Sequence, residues 1–268
     1  IPIGVHPSLY VHVPFCLKRC PYCAFYKRLW DPTLEESYLD AIEKEILSIT
    51  ENRPAFNIKS LFIGGGTPNS LTLPSFNRLL SILSVFKGVD RSIEKTVEMN
   101  PEAVTPAYLR CLENYGYSRV SLGIQSFNKD ELKLLGRIHN VKTIYNAVET
   151  VKKSTLRSWN MDFMFGFPKS NWGGVVRSLD KAMELEPPHI SLYSLTIEKG
   201  TLFEKHGIQP VVQENDCRQY QNICRYLKKR GYIHYEVSAF AKPGHECVHN
   251  KNYWTYGDFI GVGPSADS

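Results

Sequence analysis

SLYVHVPFCLKRCPYC, residues 8–23, joins a predicted β-strand to a loop that carries three cysteines within eight positions. The strand is predicted over 8–13, and the thiols follow at Cys16, Cys20 and Cys23. Thiolates are the ligands of iron–sulfur clusters, and this close spacing lets one loop wrap one corner of a cubane. Three thiolates leave one iron of a 4Fe–4S cluster without a protein ligand. The stretch therefore predicts a 4Fe–4S cluster with one iron open to a small ligand.

The main alternative for these cysteines is a structural zinc site. Zinc usually takes four protein ligands, often from two closely spaced pairs, and no second cysteine pair is evident. His245, Cys247 and His249 could in principle supply a partner group. A disulfide scaffold fits less well, because seven cysteines are an odd number and a 268-residue chain can build an ordinary core. A reducing interior and a metal-binding loop remain the better interpretation.

Outward from this loop, predicted strands alternate with predicted helices. Thr33 and Glu36 predict a capping box at the start of the first helix. Six β/α units in series predict a parallel sheet with an outer helical layer, a partial (β/α)6 barrel over residues 1–212. Residues 213–268 are predicted to form an incomplete C-terminal extension that packs on it, with a helix over 214–230 and a strand over 234–240. The six strands are predicted at 8–13, 60–63, 95–99, 119–124, 159–166 and 189–195, and their helices at 33–49, 74–86, 106–115, 140–153 and 172–185.

Composition narrows the protein class without choosing a ligand. Hydrophobic residues make up 43% and charged residues 22% of the chain, as in ordinary globular proteins. The formal net charge of +5 is mild and indicates neither nucleic acid nor an acidic substrate. No stretch approaches the roughly 20 apolar residues that a membrane span needs, and no signal peptide is evident. We therefore expect a cytoplasmic protein, or a mitochondrial one in a eukaryote, with no nucleic-acid partner.

The unusual residues fall where predicted strands end. Gly64 to Thr67 follow the second strand, Glu98 ends the third, Gln125 follows the fourth and Asp162 lies within the fifth. In parallel α/β sheets, ligands bind beyond the carboxyl ends of the strands. Backbone N–H groups of a glycine turn can approach a ligand closely, because no Cβ blocks them. A tight βα turn without any ligand is the plainer interpretation of the glycines alone.

Further motifs resemble one family in their order and spacing. That family comprises the oxygen-independent coproporphyrinogen III oxidases and their HemW-type haem-chaperone relatives, within the radical-SAM superfamily. The resemblance covers nearly all of 8–268 and extends well beyond the cysteine loop. The additional motifs are GGGTP at 64–68, VEMNP at 97–101, GIQSFN at 123–128, LGRIHN at 135–140, DFMFGFP at 162–168 and HNKNYW at 249–254.

The resemblance implies a binding site for S-adenosyl-L-methionine (SAM). In the family, the glycine motif contacts the methionine amino group of SAM, which carries over to Gly65, Gly66 and Thr67. Without the family, each of the other polar residues would be interpreted as an ordinary surface residue. The resemblance instead implies that Tyr10 and Tyr22 flank the cluster and SAM, and that Glu98, Gln125, Arg137 and Asp162 line the cofactor pocket.

Two features separate the branches of this family. The oxidases carry a fourth cysteine two positions after the third, whereas here Ala24 and Phe25 follow Cys23. The chaperone branch carries HNxxYW, which is present at 249–254. This favours a HemW-type protein that binds haem and SAM and delivers haem to a haem-accepting protein, with an electron donor as a further partner.

The HNxxYW segment is chemically suited to haem. A histidine can ligate the iron axially, and aromatic rings can cover the porphyrin. The resemblance therefore assigns His249, Asn250, Tyr253 and Trp254 to haem binding. The alternative is a true enzyme, which reduces SAM to a 5′-deoxyadenosyl radical and decarboxylates coproporphyrinogen; the absent fourth cysteine makes that activity doubtful.

Overall fold

A nine-stranded sheet organises the computed structural model, which describes residues 6–51, 57–88, 93–168 and 170–268. Its strands are β1 (Ser8–Val13), β2 (Ser60–Gly65), β3 (Glu94–Met99), β4 (Arg119–Gln125), β5 (Ser158–Phe165), β6 (His189–Ser194), β7 (Ile233–His234), β8 (Ala239–Ala241) and β9 (Phe259–Val262). The spatial order of the strands is β7-β8-β6-β5-β4-β3-β2-β1-β9. The seven strands β6-β5-β4-β3-β2-β1-β9 pair parallel, whereas β7 and β8 pair antiparallel. The predicted α/β class and its six parallel strands are confirmed.

Helices connect these strands. They are α1 (Glu35–Thr50), α2 (Leu73–Leu83), α3 (Pro106–Asn114), α4 (Lys129–Leu134), α5 (Val141–Lys152), α6 (Trp172–Glu184), α7 (Leu202–Lys205), α8 (Gln213–Lys229) and α9 (Val248–Trp254). The short helices α4, α7 and α9 and the strand β9 were not predicted from the sequence. In the described part of the chain, no helix is both long enough and apolar enough to cross a membrane.

The predicted strand over 234–240 is wrong in detail. It is a tight hairpin, in which β7 and β8 pair antiparallel and residues 235–238 turn the chain. The Glu236 carboxylate accepts the Ser238 N–H at 2.8 Å, which stabilises the turn. An acidic side chain that satisfies its own backbone two residues on favours a turn over a continuous strand.

The two faces of the sheet differ in chemistry. On β1 and β2, the side chains of Leu9, Val11, Leu61 and Ile63 are fully buried against the helices. The alternate positions face the other side and are mostly polar, as in the hydrogen bond from Ser60 Oγ to Ser8 Oγ at 2.8 Å. Because strand side chains alternate, one face builds the core and the other forms a polar interior.

The polar interior has two ends. The cysteine loop follows β1, at the carboxyl ends of the parallel strands. Residues 245–254, which we call the base segment, cross the amino ends. His245 accepts a hydrogen bond from Arg119 Nη1 at 3.1 Å, and Val248 N–H donates to Glu94 Oε1 at 2.8 Å. Residues 213–268 thus add strands to both sheet edges and cover the base, while the domain boundary at 212 stays a prediction.

Candidate functional site

The cysteine loop is tied at both ends and carries free thiols. Phe15–Cys16 and Arg28–Leu29 pair as a short parallel ladder, which fixes where the loop leaves and rejoins the sheet. Cys16 is buried, whereas Cys20 and Cys23 are half-buried, and all three are free. The loop therefore presents three unpaired thiols, the donor set of an iron–sulfur cluster.

Hydrogen-bond donors reach two of these sulfurs from other elements. Thr67 Oγ1 lies 3.7 Å from Cys16 Sγ, and Arg137 Nη1 lies 3.6 Å from Cys20 Sγ. Burial raises the pKa of the Cys16 thiol to about 11, although the Thr67 hydrogen bond opposes this shift. Donors to ligand sulfurs stabilise thiolates and tune the reduction potential of a cluster. The surroundings of the loop thus suit a cluster.

A single-ion site is not preassembled. Among the residues that the structure describes, no three His, Cys, Asp or Glu side chains converge closely enough to hold one metal ion. This applies equally to the loop and to His245, Cys247 and His249. A cubane distributes its ligands over several irons, so the thiols need not share one centre.

The glycines after β2 adopt a conformation that excludes side chains. Gly65 has φ +107°, and a Cβ there would lie 2.6 Å from the His12 ring. A Cβ on Gly66 would lie 2.6 Å from the Phe15 carbonyl oxygen. The Gly65 N–H donates to Glu98 Oε2 at 3.1 Å. Only glycine permits this close approach, so the predicted glycine turn lies directly against the cysteine loop and β3.

Thr67, Asn100 and Arg137 form one hydrogen-bonded group beside the loop. Asn100 Nδ2 donates to Thr67 Oγ1 at 3.0 Å, and its Oδ1 accepts from Arg137 Nη2. Arg137 Nη2 also donates to the Gly123 carbonyl oxygen at 3.0 Å. The guanidinium therefore joins the end of β4 to Cys20, and it supplies a positive charge next to the thiols.

Glu98 and Asp162 face the same interior from neighbouring parts of the sheet. Burial raises the pKa of Glu98 to about 8, with a further contribution from the Asp162 charge, while the Gly65 N–H opposes it. Burial also raises the pKa of Asp162, against hydrogen bonds from Ser121 and Asn160, both 2.7 Å long. Two interior carboxylates with raised pKa values are suited to accept hydrogen bonds from a polar or cationic ligand.

Gln125 has a strained backbone. It is the last residue of β4, it has φ +67°, and the register with β5 shifts between Leu122 and Gln125. A non-glycine residue in the left-handed region is uncommon, and such strain clusters at ligand sites. The structure thus singles out a residue that the family resemblance had assigned to the SAM pocket.

The two predicted tyrosines lie at different depths. Tyr22 is in the cysteine loop, 6.3 Å from the Phe203 ring, and burial raises its pKa against the nearby Arg137 charge. Tyr10 lies deeper: its hydroxyl is 3.1 Å from His12 Nδ1 and its ring stacks on Phe62. Tyr22 adjoins the loop directly, whereas Tyr10 is separated from the glycine turn by His12.

The predicted haem residues lie at the opposite end, in the base segment. His249 is buried, with Nδ1 at 2.9 Å from Ser60 Oγ and Nε2 at 3.1 Å from the Tyr253 hydroxyl. Burial lowers the pKa of His249 to about 3. Asn250 is half-buried, and Tyr253 and Trp254 are 39% and 55% exposed. The structure therefore brings most of the predicted SAM residues together at the cysteine loop. Tyr10 is the exception, because the Phe62 ring stacks on both Tyr10 and His249 and so connects it to the predicted haem residues.

Sequence reasoning missed three residues that organise these sites. His12 packs under Gly65, Asn100 joins Thr67 to Arg137, and Ser60 holds His249. Strand alternation could have found two of them, because His12 shares a face with Tyr10 and Asn100 follows Glu98 by two positions. Ser60 carries no local signal, since its partner is remote in the chain.

Comparisons with known proteins agree with this geometry. Residues 10–182 match the family model of the Radical SAM superfamily. A protein named "Heme chaperone HemW" from Escherichia coli (strain K12) is 37% identical over 262 residues, which cover 97% of this chain and 69% of that protein. A Danio rerio protein named "Radical S-adenosyl methionine domain-containing protein 1, mitochondrial" is 34% identical over 98% of this chain and 60% of its own length.

A solved structure shares the fold. The coproporphyrinogen III oxidase HemN from Escherichia coli, described as a radical SAM enzyme, superposes with a TM-score of 0.83 at 26% identity. The match covers 98% of this chain and 64% of that one. The partial barrel and the extension of its sheet are therefore shared with a protein whose sequence is less similar than that of the chaperones.

Proposed function

Because the chain belongs to the radical SAM superfamily and, within it, to the family of HemW haem chaperones, we propose that it binds SAM beside a 4Fe–4S cluster and delivers haem to haemoproteins. The cluster and SAM would occupy the carboxyl ends of the parallel strands. Haem would bind at the base segment. The two ends of one polar interior then serve two cofactors.

The cofactor end is supported by the loop and the glycine turn. Cys16, Cys20 and Cys23 would hold the cluster, which supplies one-electron chemistry when bound. Gly65 and Gly66 would let the backbone approach the methionine part of SAM, since neither position has room for a side chain. Thr67, Glu98, Gln125, Arg137 and Asp162, together with Tyr10 and Tyr22, would complete the SAM site.

The electron donor would meet the cysteine loop. Residues 17–30 carry four basic residues and no acidic one. Lys18, Arg19 and Arg28 are exposed and, within the described residues, make no ion pair. Exposed apolar side chains, Phe25 and Leu29, lie close to them in the sequence. A basic and apolar rim beside Cys20 and Cys23 favours an acidic electron-carrier protein, since complementary charge accelerates encounter.

The haem assignment rests on the state of His249. A metal-binding histidine must be neutral, and its second nitrogen usually donates to a fixed acceptor. His249 meets both conditions, because its pKa is about 3 and its Nδ1 lies against the buried Ser60 hydroxyl. Its ring also stacks on Phe62 at 5.0 Å, which holds the imidazole plane. This preorganised neutral imidazole is the observation that carries the haem proposal.

The experiment measures haem binding and coproporphyrinogen turnover on one anaerobic preparation. His249→Ala should shift or erase the Soret band, because removing an axial ligand changes the ligand field at iron. Trp254→Ala should weaken binding more mildly through lost stacking area. His206→Ala, at an exposed histidine, is the matched control and should bind haem like the parent protein.

Two outcomes would count against the proposal in different ways. An unchanged Soret band in His249→Ala would mean that haem binds, if at all, through another ligand. Protoporphyrinogen formed from coproporphyrinogen with SAM and a reductant would instead favour the oxidase function. The fold and the cluster site would stand in both cases.

A further inference from the structure

The hydrogen bonds of His249 fix which ring nitrogen carries the proton. Ser60 Oγ donates its only proton to Ser8 Oγ at 2.8 Å, and both serines are fully buried. Ser60 must therefore accept the proton of His249 Nδ1, which lies 2.9 Å away. A neutral imidazole has a single N–H, so Nε2 presents its lone pair. Nε2 is therefore the nitrogen of His249 that can ligate a metal.

In the described structure, the partner of that lone pair is Tyr253. Its hydroxyl lies 3.1 Å from His249 Nε2, four residues on along α9. A phenol hydroxyl has one proton, which Tyr253 can donate to that lone pair. The hydroxyl thus occupies the direction in which a metal would bind to Nε2.

Tyr253 lies at the outer side of His249, whereas Ser60 lies at the inner side. The Tyr253 ring meets the His249 imidazole edge-on at 5.1 Å and packs edge-on against Phe259 at 4.9 Å. Yet 39% of the residue is exposed, while His249 is only 2% exposed. The inner hydrogen bond is therefore sealed from solvent, and the outer one can exchange.

We propose that the Tyr253 hydroxyl is a displaceable cap over the iron-ligating nitrogen of His249. Haem iron would bind at Nε2 once the Tyr253 side chain has swung away as a whole, because the hydroxyl oxygen is fixed to its ring. The phenol would keep its proton and donate it to water instead, no group would change its oxidation state, and the Nδ1–H bond to Ser60 would persist. This inference rests on the proposed haem function and deepens it, because it gives Tyr253 a role opposed to simple haem contact.

The cap makes a prediction with a distinctive sign. Tyr253→Phe keeps both ring contacts but removes the hydroxyl, so the ring can leave Nε2 without breaking a hydrogen bond. Losing one competing hydrogen bond should tighten haem binding by roughly two- to tenfold. If Tyr253 instead stabilised bound haem through its hydroxyl, the same change would weaken binding.

The test titrates ferric haem into the full chain with its cluster reconstituted, following the Soret band. Tyr253→Phe should bind more tightly with an unchanged band position, and Tyr256→Phe, at a 97% exposed tyrosine, is the matched control. Equal or weaker binding by Tyr253→Phe would overturn the cap. In a His249→Ala background, Tyr253→Phe should have no effect, and a persisting gain would equally overturn it.

The two proposals fail separately. If His249→Ala leaves the spectrum unchanged, the haem ligand is wrong and the cap falls with it. If His249→Ala erases the Soret band while Tyr253→Phe weakens binding, the ligand stands and the cap alone is wrong. Urea unfolding of Tyr253→Phe should match the parent within about 1 kcal/mol, since only one partly exposed hydrogen bond is lost.

Discussion

Glu98 is a carboxylate whose surroundings favour its neutral form. It faces the interior beside Asp162, and its pKa of about 8 means that it is mostly protonated at pH 7 without a ligand. A ligand that needs a negative charge there must displace that proton. The affinity of such a ligand should therefore depend on pH.

We expect SAM to bind more tightly as pH rises from 6.5 to 8.5, by several-fold, because the ionised Glu98 accepts hydrogen bonds from the ribose or amine. Glu98→Gln should lose this part of the dependence, since an amide does not titrate. The α-amino group of SAM titrates in the same range, so the comparison of parent and variant by equilibrium dialysis isolates Glu98.

Glu214→Gln, at an exposed glutamate, provides the matched control and should keep the parent pH profile. Identical pH profiles for the parent and Glu98→Gln would remove Glu98 from the SAM site.

Residues such as Glu98 were predictable only through the family motif. A lone glutamate near a strand end has no sequence signature, and its raised pKa arises mainly from burial, with a further contribution from Asp162, which the fold brings near.

The cysteine loop is the element that the sequence predicts best. Three thiols on one loop need no distant partner, so spacing alone indicates the chemistry. After anaerobic reconstitution we expect about four irons per chain, and Cys16→Ala, Cys20→Ala or Cys23→Ala should abolish that content. Iron and sulfide analysis with visible absorption provides the measurement.

Cys217→Ala is the matched control, because Cys217 is an exposed thiol on α8, remote in sequence from the loop. It should retain the full iron content. Stoichiometric zinc without iron after careful reconstitution would contradict the cluster assignment. Loss of iron in Cys217→Ala as well would show that the assay reports general instability.

Other elements show where sequence reasoning stops. Thr33 and Glu36 predicted a capping box, but Thr33 Oγ1 donates to Asp31 Oδ1 at 2.7 Å, and α1 begins at Glu35 after a short 3-10 turn. Asp31 lies two residues before Thr33, and its carboxylate accepts hydrogen bonds from both the N–H and the hydroxyl of Thr33. The Thr33 hydroxyl therefore does not cap α1. The strand β9 was missed because its partner β1 lies at the other end of the chain.

Across the whole molecule, the polar face of the sheet keeps buried histidines neutral. Burial lowers the pKa values of His12, His189 and His249 below the ordinary value of 6.5. An unfolded chain would protonate them near 6.5. Their contribution to stability is therefore present above pH 6.5 and is lost as the pH falls below it.

His189 provides the sharpest test, because it is 1% exposed and bonds to Asn160 and Tyr235. At pH 8, His189→Gln should be less stable than the parent in urea unfolding. That gap should shrink below pH 6.5 by at most about 1.4 kcal/mol per pH unit. A gap that stays constant between pH 8 and 5 would mean that His189 titrates normally.

The matched variant for this comparison is His206→Gln, whose histidine is exposed. Its difference in unfolding free energy from the parent should not change with pH.

At the scale of the whole molecule the sequence predicted six parallel strands, because each β/α unit is local. It could not predict the base segment, whose contacts with Ser60, Glu94 and Arg119 join residues far apart in the chain.

The base segment and the cysteine loop lie at opposite ends of the parallel strands. From Ser8 to Val13, β1 rises by about 17 Å. Transfer of an atom requires van der Waals contact, so chemistry between SAM bound at the loop and a porphyrin held at His249 would need one of them to extend along most of this length. The strands, and the Phe62 ring that stacks on both Tyr10 and His249, physically join the two proposed sites.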